Sequence, residues 1–212
     1  MKRIPDATIR RLNLYLRSLK ELSKDNEEKS LSSKQLAEEL NINPHQVRKD
    51  LSYFGQFGKR GIGYRAKDLI GSITDILGLN KKWNVCLCGL GNLGTALISY
   101  KGFKEEGLNV AAVFEKDSEK IGRKIGNIKI FSVESMKKVI REKNIEIGII
   151  TVPADEAQVT ADRLIKAGIK AILNFAPVKL SAPKEKIKLR DVDLSIELIN
   201  LAQFLINISK KS

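Results

Sequence analysis

The chain has 212 residues, of which 42% are hydrophobic, enough for one large or two small domains with a buried core. Lysine and arginine number 38 against 25 acidic residues, so the formal net charge is +13 and polyanions such as nucleic acid are favoured partners. No run reaches the roughly 18 apolar residues of a membrane helix, and no apolar segment follows Lys2 and Arg3 as it would in a signal peptide. These features predict a cytoplasmic protein without a membrane partner.

The first part of the chain has the pattern of a helix-turn-helix. Apolar residues at helical spacing predict a helix over 7–23. Ser32, with a glutamine three residues later, predicts a capping box and a short helix that runs to residue 40. Asn43, followed by a proline, predicts the start of a second helix over 44–53. Two helices joined by so short a turn predict a DNA-binding motif.

A wing is expected after this motif. Residues 55–64 alternate glycine, aromatic and basic side chains, which predicts a tight hairpin. A helix over 66–77 follows, and the polar segment after it predicts a domain boundary near Asn80. The second helix of the motif faces base edges or phosphates, and basic hairpin tips reach phosphates or the minor groove. The predicted contacts are Gln46, Arg48 and Lys49 on the helix, with His45 on the same turn, and Lys59 and Arg60 on the hairpin.

Strands and helices alternate from residue 83 onward, which predicts a parallel sheet with helices on both faces. The predicted strands are 84–88, 110–114, 128–131, 147–152, 170–174 and 187–192, and the predicted helices are 92–100, 133–142, 155–167 and 195–209. The last helix is apolar over most of its circumference, so we expect it to be buried against a partner subunit.

A glycine turn between the first of these strands and its helix predicts a dinucleotide site. Gly89 permits the tight turn, Gly91 lets backbone approach a pyrophosphate, and Gly94 allows close packing of helix on sheet. The helix N-terminus adds free N–H groups for the anion. A glycine-rich turn without a ligand is the alternative. The residues predicted to bind the cofactor here are Gly89, Leu90, Gly91, Asn92, Leu93 and Gly94.

The second strand of this half ends at Glu115, 21 residues after Gly94. At that distance an acidic residue accepts hydrogen bonds from an adenosine ribose, and its charge repels a 2′-phosphate. NAD(H) is therefore favoured over NADP(H). A basic cluster directly after the strand offers the opposite possibility, because it could host that phosphate; its members are Lys116, Lys120, Arg123 and Lys124.

Two further segments follow apolar strands at the carboxyl edge of the sheet, where open α/β sheets bind ligands. They supply Thr151, Val152 and Pro153, and then Asn174 and Ala176. These residues would line the nicotinamide end of a cofactor, although proline punctuation of loops explains the pattern equally well.

The nucleotide-binding half lacks obvious catalytic equipment. The only histidine, His45, precedes it, so an enzyme would need a lysine, Tyr100 or a carboxylate for proton transfer. Cys86 and Cys88 share one face of a strand; we expect both to be buried, and this pair alone does not make a metal site. No catalytic or metal-binding residue is predicted, and a sensor is favoured over an enzyme.

The motifs QVRKDLSYFG at 46–55 and GKRGIGY at 58–64 resemble the bacterial Rex family of redox-sensing repressors. The resemblance continues through LGLN at 77–80, the glycine turn, TVP at 151–153 and ILNFAP at 172–177, and so spans nearly the whole chain. It implies an α/β protein with a winged helix-turn-helix domain at 1–80, a Rossmann-like doubly wound domain at 81–193 and a domain-swapped C-terminal helix at 194–212.

The resemblance also implies a function and further site residues. A homodimer would hold a palindromic operator in its apo or NAD⁺ form and release it on binding NADH. By similarity, His45, Ser52 and Tyr53 join the DNA-binding set. Arg17, Tyr100 and Asp193 would form a polar switch across the dimer. The family commonly has aspartate where this chain has Glu115.

Two other functions remain open at this point. The first is an NAD-dependent oxidoreductase with an accessory nucleic-acid-binding domain. The second is a regulator whose ligand is another adenine nucleotide or a thioester cofactor.

Overall fold

The computed structural model describes residues 4–26, 28–55 and 63–209, and the chain divides into two compact units, one ending at Lys81 and the other beginning at Lys82. Among the described residues, no helix has the length and apolar character needed to cross a membrane.

The N-terminal unit is helical. Its elements are α1 Asp6–Leu22, β1 Ser30–Leu31, α2 Ser33–Glu39, α3 Pro44–Ser52, β2 Tyr64–Arg65 and α4 Ala66–Leu77. The predicted helix starts are confirmed. The Ser32 hydroxyl accepts from the Gln35 N–H at 3.1 Å while the Gln35 side chain accepts from the Ser32 N–H at 2.8 Å. The Asn43 side chain accepts from the His45 N–H at 2.8 Å, so α2 and α3 form a helix-turn-helix.

One core holds these helices together. The face of α1 that carries Leu12, Leu16 and Leu19 is fully or nearly fully buried. It packs with buried residues from the other elements, namely Leu31, Leu36, Ala37, Val47, Leu51, Ala66, Leu69 and Ile73. Helix α3 is therefore anchored by apolar packing as well as by its cap.

The predicted wing lies mostly outside the described residues, which omit 56–62, including Lys59 and Arg60. Its last residue, Tyr64, pairs antiparallel with Leu31. A glycine is required just before this pairing, because a Cβ on Gly63, whose φ is +89°, would lie 2.6 Å from the Leu31 carbonyl oxygen.

The second unit is built on a seven-stranded sheet. Its strands are β3 Trp83–Cys88, β4 Leu108–Glu115, β5 Lys124–Ile125, β6 Ile128–Ser132, β7 Ile147–Ile150, β8 Ala171–Asn174 and β9 Lys188–Asp191. Its helices are α5 Asn92–Ile98, α6 Lys101–Glu105, α7 Met136–Glu142, α8 Ala154–Lys166 and α9 Leu194–Ser209, with a 3₁₀ turn at Val133–Ser135. The order is β5-β6-β4-β3-β7-β8-β9, with only β5 antiparallel. Without β5 this is the 3-2-1-4-5-6 order of a dinucleotide-binding fold, as predicted.

Residues of the central strand alternate between two cores, one on each face of the sheet. Val85 and Leu87 belong to one, and Cys86 and Cys88 belong to the other. Both cysteines are free and at most 1% exposed, which confirms the prediction that they are buried on one face.

Several details differ from the sequence-based expectation, among them the strand predicted at 147–152, which ends at Ile150. The helix predicted at 92–100 ends at Ile98, and α6 follows as a separate short helix. The helix predicted at 133–142 begins as the 3₁₀ turn. The edge strand β5 was not predicted, because two residues carry no usable periodicity.

Helix α9 runs over Leu194–Ser209 and keeps its apolar residues at the surface of the chain. Those residues, each 47–68% exposed, are Leu194, Ile196, Leu198, Ile199, Leu201, Phe204, Leu205, Ile206 and Ile208. Asn200, Gln203 and Asn207 recur at helical spacing and form a narrow polar stripe. Apart from Ser195 and Glu197 in the first turn and Ser209 at the end, the rest of the helix surface is an extended apolar patch of the kind that marks an interaction site.

Candidate functional site

The glycine turn at the end of β3 is held by contacts that leave no room for a side chain at Gly89 or Gly94. A Cβ on Gly89, whose φ is +94°, would lie 2.8 Å from the Val152 side chain and 3.0 Å from Thr151 backbone. A Cβ on Gly94 would lie 2.2 Å from the Gly89 carbonyl oxygen, whereas a Cβ on Gly91 would meet no atom within 4 Å. Gly91 therefore borders open space in front of the turn.

The end of β7 is tied to this turn by Thr151. Its hydroxyl is 3.0 Å from the Cys88 carbonyl oxygen and 2.8 Å from that of Gly89, and is placed to donate to both. The backbone N–H of Thr151 also donates to Cys88. Thr151 thus fixes the spacing between two neighbouring strand ends at the edge of the sheet where ligands bind.

The Glu115 carboxylate faces the same turn. One oxygen accepts from the Leu90 N–H at 2.7 Å, and the other accepts from the N–H groups of Lys116 and Asp117 at 2.8 and 3.2 Å. Burial raises the pKa of Glu115, but these three hydrogen bonds outweigh it, so the pKa lies below the usual value. The carboxylate is anionic, and of its roughly four acceptor positions one is left for an incoming hydroxyl.

A cleft of about 390 Å³ opens in front of these groups. The predicted cofactor residues that line it are Gly89, Leu90, Gly91, Asn92, Leu93, Glu115, Thr151, Val152 and Pro153. Gly94 does not line the cleft; it lies behind the turn and permits the close packing described above.

Asn174 and Ala176 do not line the cleft, contrary to our expectation. Asn174 is fully buried, and its amide nitrogen donates to Asp191 and to the Val178 carbonyl oxygen, both at 2.8 Å. Its side-chain oxygen accepts from the Ala176 N–H at 3.0 Å. Their neighbours Phe175 and Pro177 line the cleft instead. Side chains after β8 still alternate in direction, so Asn174 and Ala176 point into the protein while the residues between and after them face the cleft.

A second cavity of about 320 Å³ lies beside the cleft and was not predicted. It is lined by residues of the 3₁₀ turn, α7 and α8, and it shares Lys116 and Glu156 with the cleft. The Lys116 ammonium and the Glu156 carboxylate form an ion pair at this shared boundary. Sequence reasoning missed Glu156 because the pair joins residues 40 positions apart.

On α3, most of the predicted DNA-binding residues are exposed: His45, Arg48, Lys49, Ser52 and Tyr53. The Arg48 guanidinium donates to the Ser33 hydroxyl at 2.9 Å, and the Ser52 hydroxyl donates to the Lys49 carbonyl oxygen at 2.7 Å. These side chains present donors and positive charge on one exposed helix.

Gln46 differs, because its amide nitrogen donates to the buried carboxylate of Asp50 at 2.9 Å. Asp50 is 1% exposed and also accepts from Tyr15, Thr8 and the Arg11 guanidinium. The distances are 2.7 Å to the Tyr15 hydroxyl, 3.1 Å to the Thr8 hydroxyl, and 2.5 and 2.8 Å to the two Arg11 nitrogens. Gln46 lies on the same helix as Asp50, so it helps to hold in place the carboxylate that joins α3 to α1, a role that the sequence did not predict.

Comparison with known proteins identifies the family. Residues 80–178 match the family model described as CoA binding domain, and residues 3–52 match that of a putative DNA-binding protein N-terminus. The redox-sensing transcriptional repressor Rex of Desulforamulus reducens is 47% identical over 196 residues, covering 92% of both chains. Rex of Syntrophobacter fumaroxidans is 46% identical over 204 residues, covering 96% of both. The chain belongs to the Rex family of redox-sensing transcriptional repressors.

Solved Rex structures agree with this assignment. The crystal structure of RSP, a Rex-family repressor, in complex with β-NAD⁺ and operator DNA is 39% identical, with a TM-score of 0.92 and coverage of 100% of this chain and 97% of that chain. RSP in complex with β-NADH is 38% identical, with a TM-score of 0.87 and coverage of 100% and 99%. Rex proteins are regulators rather than enzymes, so the oxidoreductase alternative is set aside.

The three residues of the predicted Rex switch are all exposed. Arg17 lies on α1, and Tyr100 directly precedes α6, where its ring packs edge-on against Phe103 at 5.2 Å between centroids. Asp193 directly precedes α9 and accepts from the N–H and hydroxyl of Ser195 at 2.9 and 2.6 Å, so it caps that helix. These hydrogen bonds lower the pKa of Asp193, which carries a negative charge at the start of α9.

Proposed function

We propose that this Rex-family chain is a homodimeric repressor that holds a palindromic operator in its apo or NAD⁺ form and releases it when NADH binds. The observation that carries the proposal is the cleft in front of the glycine turn, where anionic Glu115 faces the Leu90 N–H. A glycine turn for the pyrophosphate and a carboxylate for the ribose are the two elements that an NAD(H) site requires.

The cofactor acts as a signal in this proposal. RSP has been solved with β-NAD⁺ and operator DNA together and, separately, with β-NADH. A ligand that bound both states of the repressor equally would not shift the equilibrium between them. NADH must therefore bind the released form more tightly than the operator-bound form.

Helix α3 supplies the DNA contact. Its exposed Arg48 and Lys49 are suited to phosphates and base edges, and we place His45, Ser52, Tyr53 and the wing residues Lys59 and Arg60 in the same interface. Gln46 contributes mainly by holding the Asp50 carboxylate in place, since its amide nitrogen donates to that carboxylate.

Helix α9 supplies the dimer contact. Its exposed apolar surface needs burial, and exchange between two subunits would provide it. A two-fold symmetric dimer then matches a palindromic operator. We assign Arg17, Tyr100 and Asp193 to the polar switch between the subunits, and we place the repressor in the cytoplasm, where bacterial DNA is found.

Fluorescence anisotropy of a labelled operator tests the proposal. The operator is first selected from random DNA with the purified protein, and NADH is then titrated at a fixed excess of NAD⁺. Release of the operator as NADH rises is the expected result. Operator binding that stays unchanged at saturating NADH would contradict redox sensing. Coenzyme A and ATP serve as competitors, because the matching family model is that of a CoA binding domain.

A further inference from the structure

The ion pair between Lys116 and Glu156 stands where a 2′-phosphate would have to be recognised. Lys116 directly follows Glu115 at the end of β4, and Glu156 lies in the first turn of α8. Both side chains line the cleft, and both line the neighbouring cavity. The pair therefore borders the space reserved for the adenosine ribose under the proposed function.

The cations nearest to Glu115 are already engaged. The Lys120 ammonium is 3.5 Å from an Asp117 carboxylate oxygen and donates to the Leu90 carbonyl oxygen at 3.3 Å. Arg123 and Lys124 are exposed and are not among the residues that line either cavity. Among the described residues that line the cleft, Lys116 is the one cation, and Glu156 compensates its charge.

The charges of the cleft lining therefore do not favour a second phosphate on the ribose. They comprise two carboxylates, Glu115 and Glu156, against the one ammonium of Lys116. In dinucleotide-binding folds a basic residue near this strand end accommodates the 2′-phosphate of NADP(H). The Lys116 side chain is 65% exposed and Glu156 32%, so their contact is worth little for stability and its effect on the local charge matters more.

We propose that Glu156 is a specificity-determining residue: by pairing with Lys116 it withholds the cation that a 2′-phosphate needs, and so excludes NADP(H) from the cleft. This inference rests on the proposed function, in which the cleft binds NADH. It assigns discrimination to two carboxylates. Glu115 repels the phosphate directly, and Glu156 removes its counter-ion.

The test compares the dissociation constants of NADH and NADPH by isothermal titration calorimetry on the full chain. In Glu156→Gln the charge of Lys116 is no longer balanced, so the ratio of the NADPH constant to the NADH constant falls about tenfold, the scale of one hydrogen bond to a charged group. Adding Lys116→Gln to Glu156→Gln restores the original ratio. Glu142→Gln, which breaks the exposed pair with Lys138 on α7, is the matched control and leaves the ratio unchanged.

Three results would overturn the proposal. A ratio in Glu156→Gln equal to that of the unmodified chain means that Glu156 does not discriminate. If the ratio stays low when Lys116→Gln is added to Glu156→Gln, the effect comes from the general loss of negative charge. Absence of NADH binding in the unmodified chain refutes the proposed function itself, and this inference with it; the first two results leave the proposed function intact. Thermal melting of each variant shows that it is folded.

Discussion

Asp50 shows how one buried side chain can fix the orientation of α3, the helix to which we assign the DNA contact. Burial raises its pKa, but the hydrogen bonds from Arg11, Tyr15, Gln46 and Thr8 outweigh it and lower the pKa below the usual value. The carboxylate in turn raises the pKa of the Arg11 guanidinium, while burial first and Asp50 second raise that of the Tyr15 hydroxyl. Asp50 is therefore an anion whose partners all lie on α1 and α3.

Asp50→Ala should destabilise the N-terminal domain by about 3–5 kcal/mol, because it leaves the Arg11 charge without its partner. Urea unfolding monitored by circular dichroism measures the loss. The double variant Arg11→Met and Asp50→Leu removes both charges and should recover part of the stability, because the buried Tyr15 and Thr8 hydroxyls still lose their acceptor. A single variant as stable as the unmodified chain would contradict this role.

The same pair makes stability dependent on pH. Since the folded pKa of Asp50 is lowered, its contribution is complete above the unfolded value of about 3.9 and is lost as the pH falls through the folded value. Unfolding curves across this acidic range should show a larger loss of stability on acidification in the unmodified chain than in the double variant.

Two glycines of the turn should respond differently to alanine. Gly91→Ala has room for its Cβ, so the fold should persist while the pyrophosphate is blocked and NADH affinity falls at least tenfold. Gly94→Ala forces a Cβ against the Gly89 carbonyl oxygen and should cost about 1–3 kcal/mol of stability. Melting temperature and calorimetric titration separate the two effects. Equal melting temperatures for both variants would contradict this distinction.

Helix α9 has an apolar surface that the described part of the chain leaves exposed. Most of its circumference is apolar and exposed; its polar residues are the stripe of Asn200, Gln203 and Asn207 together with Ser195 and Glu197 near its start and Ser209 at its end. Asp193 caps its first turn, so the helix start is specified although its apolar surface is unburied within the chain.

Leu198→Lys combined with Leu201→Lys should convert the proposed dimer to a monomer, because two charges would be placed in the apolar contact. Sedimentation equilibrium measures the mass, and the palindromic operator should be bound more weakly by the variant. Asn207→Lys, on the polar stripe of the same helix, is the control and should remain dimeric. A dimeric double variant would exclude α9 as the main interface.

Local signals in the sequence were sufficient for most elements. The capping box at Ser32 and the cap at Asn43 predicted two helix starts. The G-x-G-x-x-G motif, the acid at the next strand end and the segment after β7 together predicted most of the cleft lining. Contacts between residues far apart in sequence could not be predicted. The Arg11–Asp50 and Lys116–Glu156 pairs join different elements, and the direction of side chains after β8 depended on a register that the loop sequence does not encode.

The positive charge of the chain is spread over both units. Residues 1–81 carry a formal charge of +6 and residues 82–212 carry +7. A charge of this size attracts DNA regardless of sequence, so under the proposed function the selectivity has to come from base contacts, which we assign to α3.

Operator binding should therefore weaken steeply with salt. If about six phosphates are neutralised, raising potassium chloride from about 50 to about 200 mM should lower the affinity roughly a thousandfold. Anisotropy titrations over this range give the slope, and random DNA serves as the reference. A slope near zero would contradict a phosphate-based interface.

The two buried thiols make the folded protein unreactive toward thiol-modifying reagents. A hydrogen bond with Cys86 and burial raise the pKa of Cys88, and both side chains lie in the core beneath the cofactor turn. Alkylating reagents can reach them only when the central strand β3 opens. The rate of alkylation therefore measures how often β3 opens. A cysteine introduced at the surface can carry a dye without removing the native pair.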